Sequence, residues 1–409
     1  MIRRLAMAAM VVVLALEACG AAPPTPEPGS ASPSSPAPAV TVEPSPTPAW
    51  ADAELAQPAA VNRFASQPPG YYCDPCHNLS EDNLFGVGAV PGGFIATGAV
   101  TPPASAIALW SSDGRSWTPL AGFASDDGSA AVAVASDGTR TVLVGHDPRG
   151  ATAWAGSESG GWTRAPAQAS LSVPYAAGGM TTVVAFGGGF VAAGYRDDPS
   201  RAAVSGAVWR SADGLHWTLD AGAVFAGGRI LGLAVLGASL IAVGTGGDLL
   251  RGPAAAWRWT QATGWRRAVL PPGGGAMRAV AATAAGVVAV GVNAADAGAM
   301  AWTSPDGASW QAAADQPAFH FYELPVRLQA LAAPGGTFVA GGWRSDPGKG
   351  SSVVVTSADG RTWRATDWQA SFSGGQIDGL ASADGTLVAA GRVGYPDTDT
   401  AAVWYRAWP

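Results

Sequence analysis

Charge is what this 409-residue sequence has least of: Asp, Glu, Lys and Arg make up 13% of it, about half the share of roughly 25% in an average soluble protein. Lys349 is the only lysine, and the net charge is -7. Without a basic face to displace counterions, nucleic acid is excluded as a partner. The sequence has no Walker loop, dinucleotide fingerprint, HExxH or GxSxG element, which removes the nucleotide, metalloprotease and serine-hydrolase readings that those motifs carry. Residues 5–16 form an apolar run too short to span a bilayer, which takes ~20 residues. Glutamate is scarce beyond residue 78, with Glu81, Glu158 and Glu323 alone. Cysteine is limited to Cys19, Cys73 and Cys76.

What the chain has instead is glycine (55) and tryptophan (17), with 48% hydrophobic residues. So apolar a chain requires a folded core, and this composition favours short strands joined by tight turns over helices. A strand-like phrase ending in glycine recurs seven times, closing at Gly98, Gly145, Gly194, Gly244, Gly291, Gly341 and Gly391, always 47 to 50 residues apart. Each phrase follows another short apolar run and a Gly-rich turn, as at Ser136-Asp-Gly138 and Ala383-Asp-Gly385. Asp-Gly between apolar runs is a strong hairpin signal, because glycine tolerates positive φ. A third run carries Trp110, Trp154, Trp209, Trp257, Trp302, Val355 or Trp404, and a fourth is opened by Trp117, Trp162, Trp217, Trp265, Trp310 or Trp363. Four strands per unit at this period predict an all-β, seven-bladed β-propeller of four-stranded antiparallel blades.

The turn between the third and fourth runs reads Ser111-Ser-Asp113-Gly114-Arg-Ser-Trp117, Ser211-Ala-Asp213-Gly214-Leu-His-Trp217, Ser304-Pro-Asp306-Gly307-Ala-Ser-Trp310 and Ser357-Ala-Asp359-Gly360-Arg-Thr-Trp363. Worn copies begin at Ser157 and Thr260. These turns resemble the Asp-box, or BNR, repeat of sialidase-like propellers, over roughly residues 79–409. The chemistry is structural: the Asp carboxylate accepts turn amides, Ser closes the loop, Gly takes positive φ and Trp tucks beneath. The resemblance implies turns on the end of the propeller away from any catalytic face. The seventh unit ends before such a turn, so an N-terminal segment within 58–72 is expected to supply or cover its outer strand.

Ahead of the repeats, Arg3 and Arg4 and the apolar run read as an export signal. Leu16-Glu17-Ala18-Cys19 resembles a bacterial lipobox, with Glu17 where a small residue is usual. It implies lipidation of Cys19 and attachment to the membrane, facing the outside or the periplasm; cleavage elsewhere as an ordinary signal peptide is the alternative. The expected organisation is 1–19 signal and lipobox, 20–50 a Pro/Ser/Ala-rich disordered linker, 51–83 an N-terminal segment with CxxC, and 84–409 the propeller. Cys73-Asp-Pro-Cys76-His77 spells the c-type haem attachment pattern, but in an exported chain two nearby cysteines read more simply as a disulfide. No cofactor is expected.

Enzyme and binding readings both remain. Sialidase-like enzymes pair a Tyr nucleophile with Glu and use an arginine cluster and an Arg-Ile-Pro motif; the tripeptide does not occur, and Tyr322-Glu323 is the only adjacent Tyr-Glu pair. The polar loops after each glycine phrase gather at the other end of the propeller. They carry His146, Arg149, Arg196, Asp197, Asp198, Arg201, Trp343, Arg344, Tyr395 and Asp397 as ligand-binding candidates. Singly, each loop reads as a solvated turn. Asp197-Asp198 and Asp397-Thr-Asp399 lack the bidentate Glu of an EF-hand loop, so calcium is not expected. The sequence therefore points to a monomeric, surface-anchored, non-enzymatic propeller that binds a glycan, peptide or protein partner; the alternative is a diverged sialidase-like exo-glycosidase.

Overall fold

A computed structural model describes residues 49–55 and 81–408, apart from 102–104, 126–127, 158–159, 173–177, 199–202, 221, 248–251, 295–297, 322–323, 347–348, 367–371 and 395–399. All the described residues belong to one compact unit, Pro48–Pro409. Seven antiparallel blades follow one another along the chain, each ordered from an inner strand outward. Blade 1 comprises Glu81–Val90, Gly93–Thr101, Ser105–Ser111 and Ser116–Pro119; blade 2, Ala130–Ser136, Thr141–Asp147, Gly150–Ser157 and Gly161–Arg164. Blade 3 comprises Gly178–Phe186, Gly189–Asp198, Ala203–Ser211 and Thr218–Asp220; blade 4, Gly228–Leu236, Ser239–Gly246, Ala254–Thr260 and Gly264–Arg267. Blade 5 comprises Met277–Thr283, Gly286–Val292, Ala299–Ser304 and Gln311–Ala312; blade 6, Leu324–Ala332, Phe338–Asp346, Lys349–Ser357 and Arg364–Ala365. Blade 7 comprises Gly375–Ala383, Thr386–Val393 and Thr400–Ala407, and borrows its outer strand, Ala51–Asp52, from the N-terminal side.

That borrowed strand pairs Ala51 with Tyr405 and Asp52 with Trp404. The closing segment thus precedes 58–72, which lies outside the described residues. Two residues on, Glu54–Leu55 runs parallel to the outer strand of blade 1, so one short segment ties blade 7 to blade 1. Trp50 anchors it: the indole is 5% exposed, lies 6.0 Å from the Phe372 ring and sits under Arg406 at 5.6 Å. The expected linker therefore stops short of residue 50.

The core sits in the seams. Each of the buried clusters spans two neighbouring blades, with Trp154 between blades 1 and 2, Trp209 between 2 and 3, Trp257 between 3 and 4, Trp302 between 4 and 5, and Trp404 between 6 and 7. A buried indole removes 150–250 Å² from water, about 4–6 kcal/mol at 25 cal/mol/Å². In blade 1 the equivalent place belongs to Leu109, not Trp110: Leu109 pairs with Ala96 as Trp209 pairs with Ala192, and the one-residue offset turns Trp110 to the other side of the sheet.

The repeated glycine has a steric cause. Every inner strand carries a register shift near its start, as between Met180 and Thr182 or Ile230 and Gly232. This β-bulge drives the inner backbone toward the second strand. A Cβ on Gly98, Gly145, Gly194, Gly244, Gly291 or Gly391 would lie 1.9–2.0 Å from an inner-strand carbonyl oxygen. In blade 6 the residue in that position is Gly342, paired with Leu328, rather than Gly341; a Cβ on Gly342 would lie 1.8 Å from the Arg327 carbonyl oxygen, whereas Gly341 faces Ile377 of blade 7.

The Ser-x-Asp-Gly turns of blades 1, 3 and 6 share one hydrogen-bond set, and that of blade 5 lacks only the second amide to the aspartate. In blade 3, Ser211 Oγ donates to Asp213 Oδ1 (3.0 Å) and accepts the Gly214 N–H (2.8 Å), Asp213 Oδ1 accepts the Leu215 and His216 amides, and Trp217 Nε1 donates to the Gly214 carbonyl (2.9 Å). Burial alone would raise the Asp213 pKa; hydrogen bonds from His216, Leu215 and Ser211 overcome that and hold the carboxyl well below its ordinary range. The glycine of each turn drops onto the second strand of the preceding blade: Gly114 on Val388, Gly214 on Val142, Gly307 on Ile241 and Gly360 on Val288. The turns are therefore clips between blades. The pairing corrects the worn copies by one residue. Gly156 in blade 2 and Trp259 in blade 4 occupy the serine position, opposite Thr141 and Leu240 as Ser211 is opposite Phe190, and the hairpin simply continues through them.

Candidate functional site

The serine–aspartate turns mark one face of the propeller. The other face holds the loops between second and third strands, the connections between blades and the starts of the inner strands. There the residue after each repeat glycine pairs with the inner-strand residue that precedes the bulge: Trp343 with Arg327 and Arg392 with Gln376. In blades 6 and 7 these four residues meet across the seam and line one cavity of about 210 Å³, walled also by Gly350, Gly374 and Gly375.

Its lining combines two guanidinium groups and a carboxamide with an indole and glycine backbone. The Arg327 guanidinium stacks over Trp343, 4.7 Å from the ring centroid. Arg392 is held by two side-chain oxygens, donating from Nη1 to Asn83 Oδ1 (3.2 Å) and from Nη2 to Gln376 Oε1 (3.1 Å). Gln376 Nε2 in turn donates to Asp378 Oδ1 (2.7 Å). The Gly374 amide donates to the Gly350 carbonyl at 2.7 Å, and the Gly394 amide to that of Gly374 at 3.0 Å. Side-chain-free walls bring backbone close to any occupant, while planar, fixed guanidinium groups present donors to carboxylate or carbonyl oxygens.

The candidates read from sequence are dispersed around this face. Trp343 lines the cavity. Arg344, its neighbour in the strand, points to the opposite side of the sheet and is buried, bordering a smaller void of about 70 Å³ with Ser352 and Phe372. His146 and Arg149 belong to blade 2. His146 is solvent-accessible by area yet densely surrounded; that desolvation lowers its pKa against the pull of Asp147. The Asp147 carboxylate is taken up by Arg149 (3.3 Å) and by Arg164. Arg196 is in blade 3, its Nη2 3.4 Å from the Ser172 carbonyl. Asp197 and Asp198 end the second strand of that blade, paired with Val204 and Ala203. Tyr322, Glu323, Arg201, Tyr395 and Asp397 lie outside the described residues, as do Cys19, Cys73, Cys76 and His77.

Sequence reasoning missed Arg327, Gln376 and Arg392. A signal existed: Trp343 and Arg392 each stand just after a crowded repeat glycine, opposite Arg327 and Gln376 on the inner strand. Two arginines share the cavity. Among the described residues no three His, Cys, Asp or Glu side chains group as a metal site, and no helix is long and apolar enough to cross a membrane.

No known family profile matches the chain, and no curated protein matches it in sequence. Solved structures are similar in fold. A structure described as YCF48 bound to D1 peptide superposes with a TM-score of 0.52 at 12% identity, over 84% of this chain and 98% of that one. The WD40 β-propeller domain of Doa1 gives 0.49 at 9% identity, over 80% and 93%. A Trypanosoma rangeli sialidase in complex with the inhibitor DANA gives 0.44 at 10% identity, over 80% and 55%. At these identities, the likeness to the first is one of fold: a β-propeller.

Proposed function

We propose that this protein is an exported, lipid-anchored Asp-box propeller that binds a glycan, peptide or protein partner, without turning it over, through the face opposite its serine–aspartate turns. The observation that carries the reading is the convergence of Arg327, Trp343, Gln376 and Arg392 on one cavity in the seam of blades 6 and 7. Two guanidinium groups, an indole face, a carboxamide and glycine backbone suit an oxygen-rich ligand group with a flat or apolar neighbour. Cys19 would carry the lipid, residues 20–48 would hold the propeller off the membrane, and Cys73–Cys76 would form a disulfide. The neighbour bound to a peptide makes peptide recognition by such a propeller reasonable by analogy of fold alone.

Two experiments test this. Replacing Cys19 with Ala should move the protein from the membrane fraction to the medium; retention in the membrane fraction overturns the anchor. Arrays of glycans and peptides probed with labelled protein should give a set of bound members that R327Q/R392Q loses, and binding that survives the double substitution overturns the assignment of this cavity.

A further inference from the structure

The serine–aspartate turn of a blade fills the seam behind it by dropping its glycine onto the second strand of the preceding blade. Blade 4 has no such turn. Trp259 stands in the serine position, opposite Leu240, and the hairpin runs on through Trp259–Trp265 and Thr260–Gly264 pairs. The residue of blade 3 that would receive the missing glycine is Val191, equivalent to Val142, Ile241, Val288 and Val388 three residues before each repeat glycine. Val191 lines an open groove of about 540 Å³ in that seam. In the seam behind blade 2, which is also turnless, the side chain at the corresponding third-strand position is Trp110, packed with Val90, Phe123 and Trp162 against the buried cluster shared by blades 1 and 2. Blade 3 has Arg210 there, and the groove stays open.

We propose that this groove is a second binding site, on the face opposite the first, for a carboxylate carried on a flat apolar body. Phe186 and Trp259 form its apolar wall, edge to face at 5.6 Å. Arg210 lies across Trp259, 4.6 Å from the ring centroid, so its guanidinium plane is fixed. Its Nη2 is buried and has no hydrogen-bond partner among the described residues. A buried donor without an acceptor is costly, and a guanidinium whose plane is already set is matched by the two oxygens of a carboxylate. Asp220 reaches Arg210 only as a through-space charge that partly offsets the effect of burial. On the far side, His216 is committed to Asp213 at 2.7 Å, leaving Arg210 as the anion receptor. The glycine hairpin at 187–188 leaves the rim clear, since a Cβ at either position would meet nothing within 4 Å. The volume falls within the ~300–1,000 Å³ of small-molecule sites.

The test uses 2-naphthoate as probe and neutral 2-naphthylmethanol as its counterpart, followed by tryptophan fluorescence and ligand-observed NMR on the propeller. Saturable binding of naphthoate is expected, at least tenfold tighter than the alcohol. R210Q should weaken it at least tenfold. A212F, on the exposed rim and therefore compatible with folding, should fill the groove and abolish binding with Arg210 intact. R327Q, on the other face, should leave the Arg210-dependent component of this binding unchanged. Absence of saturable binding, equal affinity for the two probes, or loss in R327Q with R210Q and A212F unaffected would overturn the proposal; the last result would leave the first site standing.

Discussion

A methyl group on Gly244 would stand 1.9 Å from the carbonyl oxygen of Arg229. The contact is inside the sheet, between a second strand and the bulged inner strand beside it, and it recurs in each blade. Relief requires moving backbone, which close-packed interiors resist. Gly244→Ala should therefore cost about 3 kcal/mol or more, and Gly391→Ala a similar amount. Gly222→Ala, whose Cβ would find its nearest neighbours at 3.8 Å, should stay within about 0.5 kcal/mol of the parent. Urea unfolding of the three variants checks this.

The N-terminal tie makes a second prediction. Ala53 donates to the Val403 carbonyl at 2.8 Å and Glu54 to the Arg115 carbonyl at 2.7 Å, so the strands of blades 7 and 1 are joined through a segment anchored by Trp50. Trp50→Ala should cost about 3–5 kcal/mol, as large-to-small core changes do. A chain beginning at residue 56 should melt well below one beginning at residue 49. Equal melting temperatures would show that the ring closes without this segment.

The serine–aspartate turns predict an acid dependence. Backbone amides hold Asp113 and Asp359 below the ordinary carboxylate pKa, and Asp213 is held lower still by His216, Leu215 and Ser211 against the opposing effect of burial. A depressed folded-state pKa contributes stability that is present above the unfolded value of about 3.9 and lost as pH falls toward the folded one. Thermal midpoints should thus decline from about pH 4 downward. The triple variant D113N/D213N/D359N should start lower, by about 1 kcal/mol per turn given the exposure of these groups, and should decline less steeply over the same range.

The number of blades, the order of strands and the clip-like turns were legible because each rests on a local pattern repeated many times: a glycine where backbones crowd, an indole in a seam, a serine and an aspartate closing a turn. What was not legible is register. Gly341 and Gly342 are both glycine, and only pairing with Leu328 identifies Gly342 as the crowded one. Leu109 and Trp110 are adjacent and apolar, and only pairing separates the seam residue from its neighbour. The same uncertainty hid Gly156 and Trp259 in the serine position. The cavity was missed for a related reason. Arg327 and Gln376 open inner strands whose sequences read as core, and they meet Trp343 and Arg392 only because adjacent blades bring their mouths together. Loop composition drew attention instead to Arg149 and Arg196, which belong to other blades.

The most direct test of the binding reading is the array comparison carried out with matched thermal midpoints. Labelled wild-type protein, R327Q/R392Q and W343A are applied to the same glycans and peptides. The account predicts a restricted set of bound members that both variants lose while their folding is unchanged. Retention of that set by correctly folded R327Q/R392Q protein would contradict it.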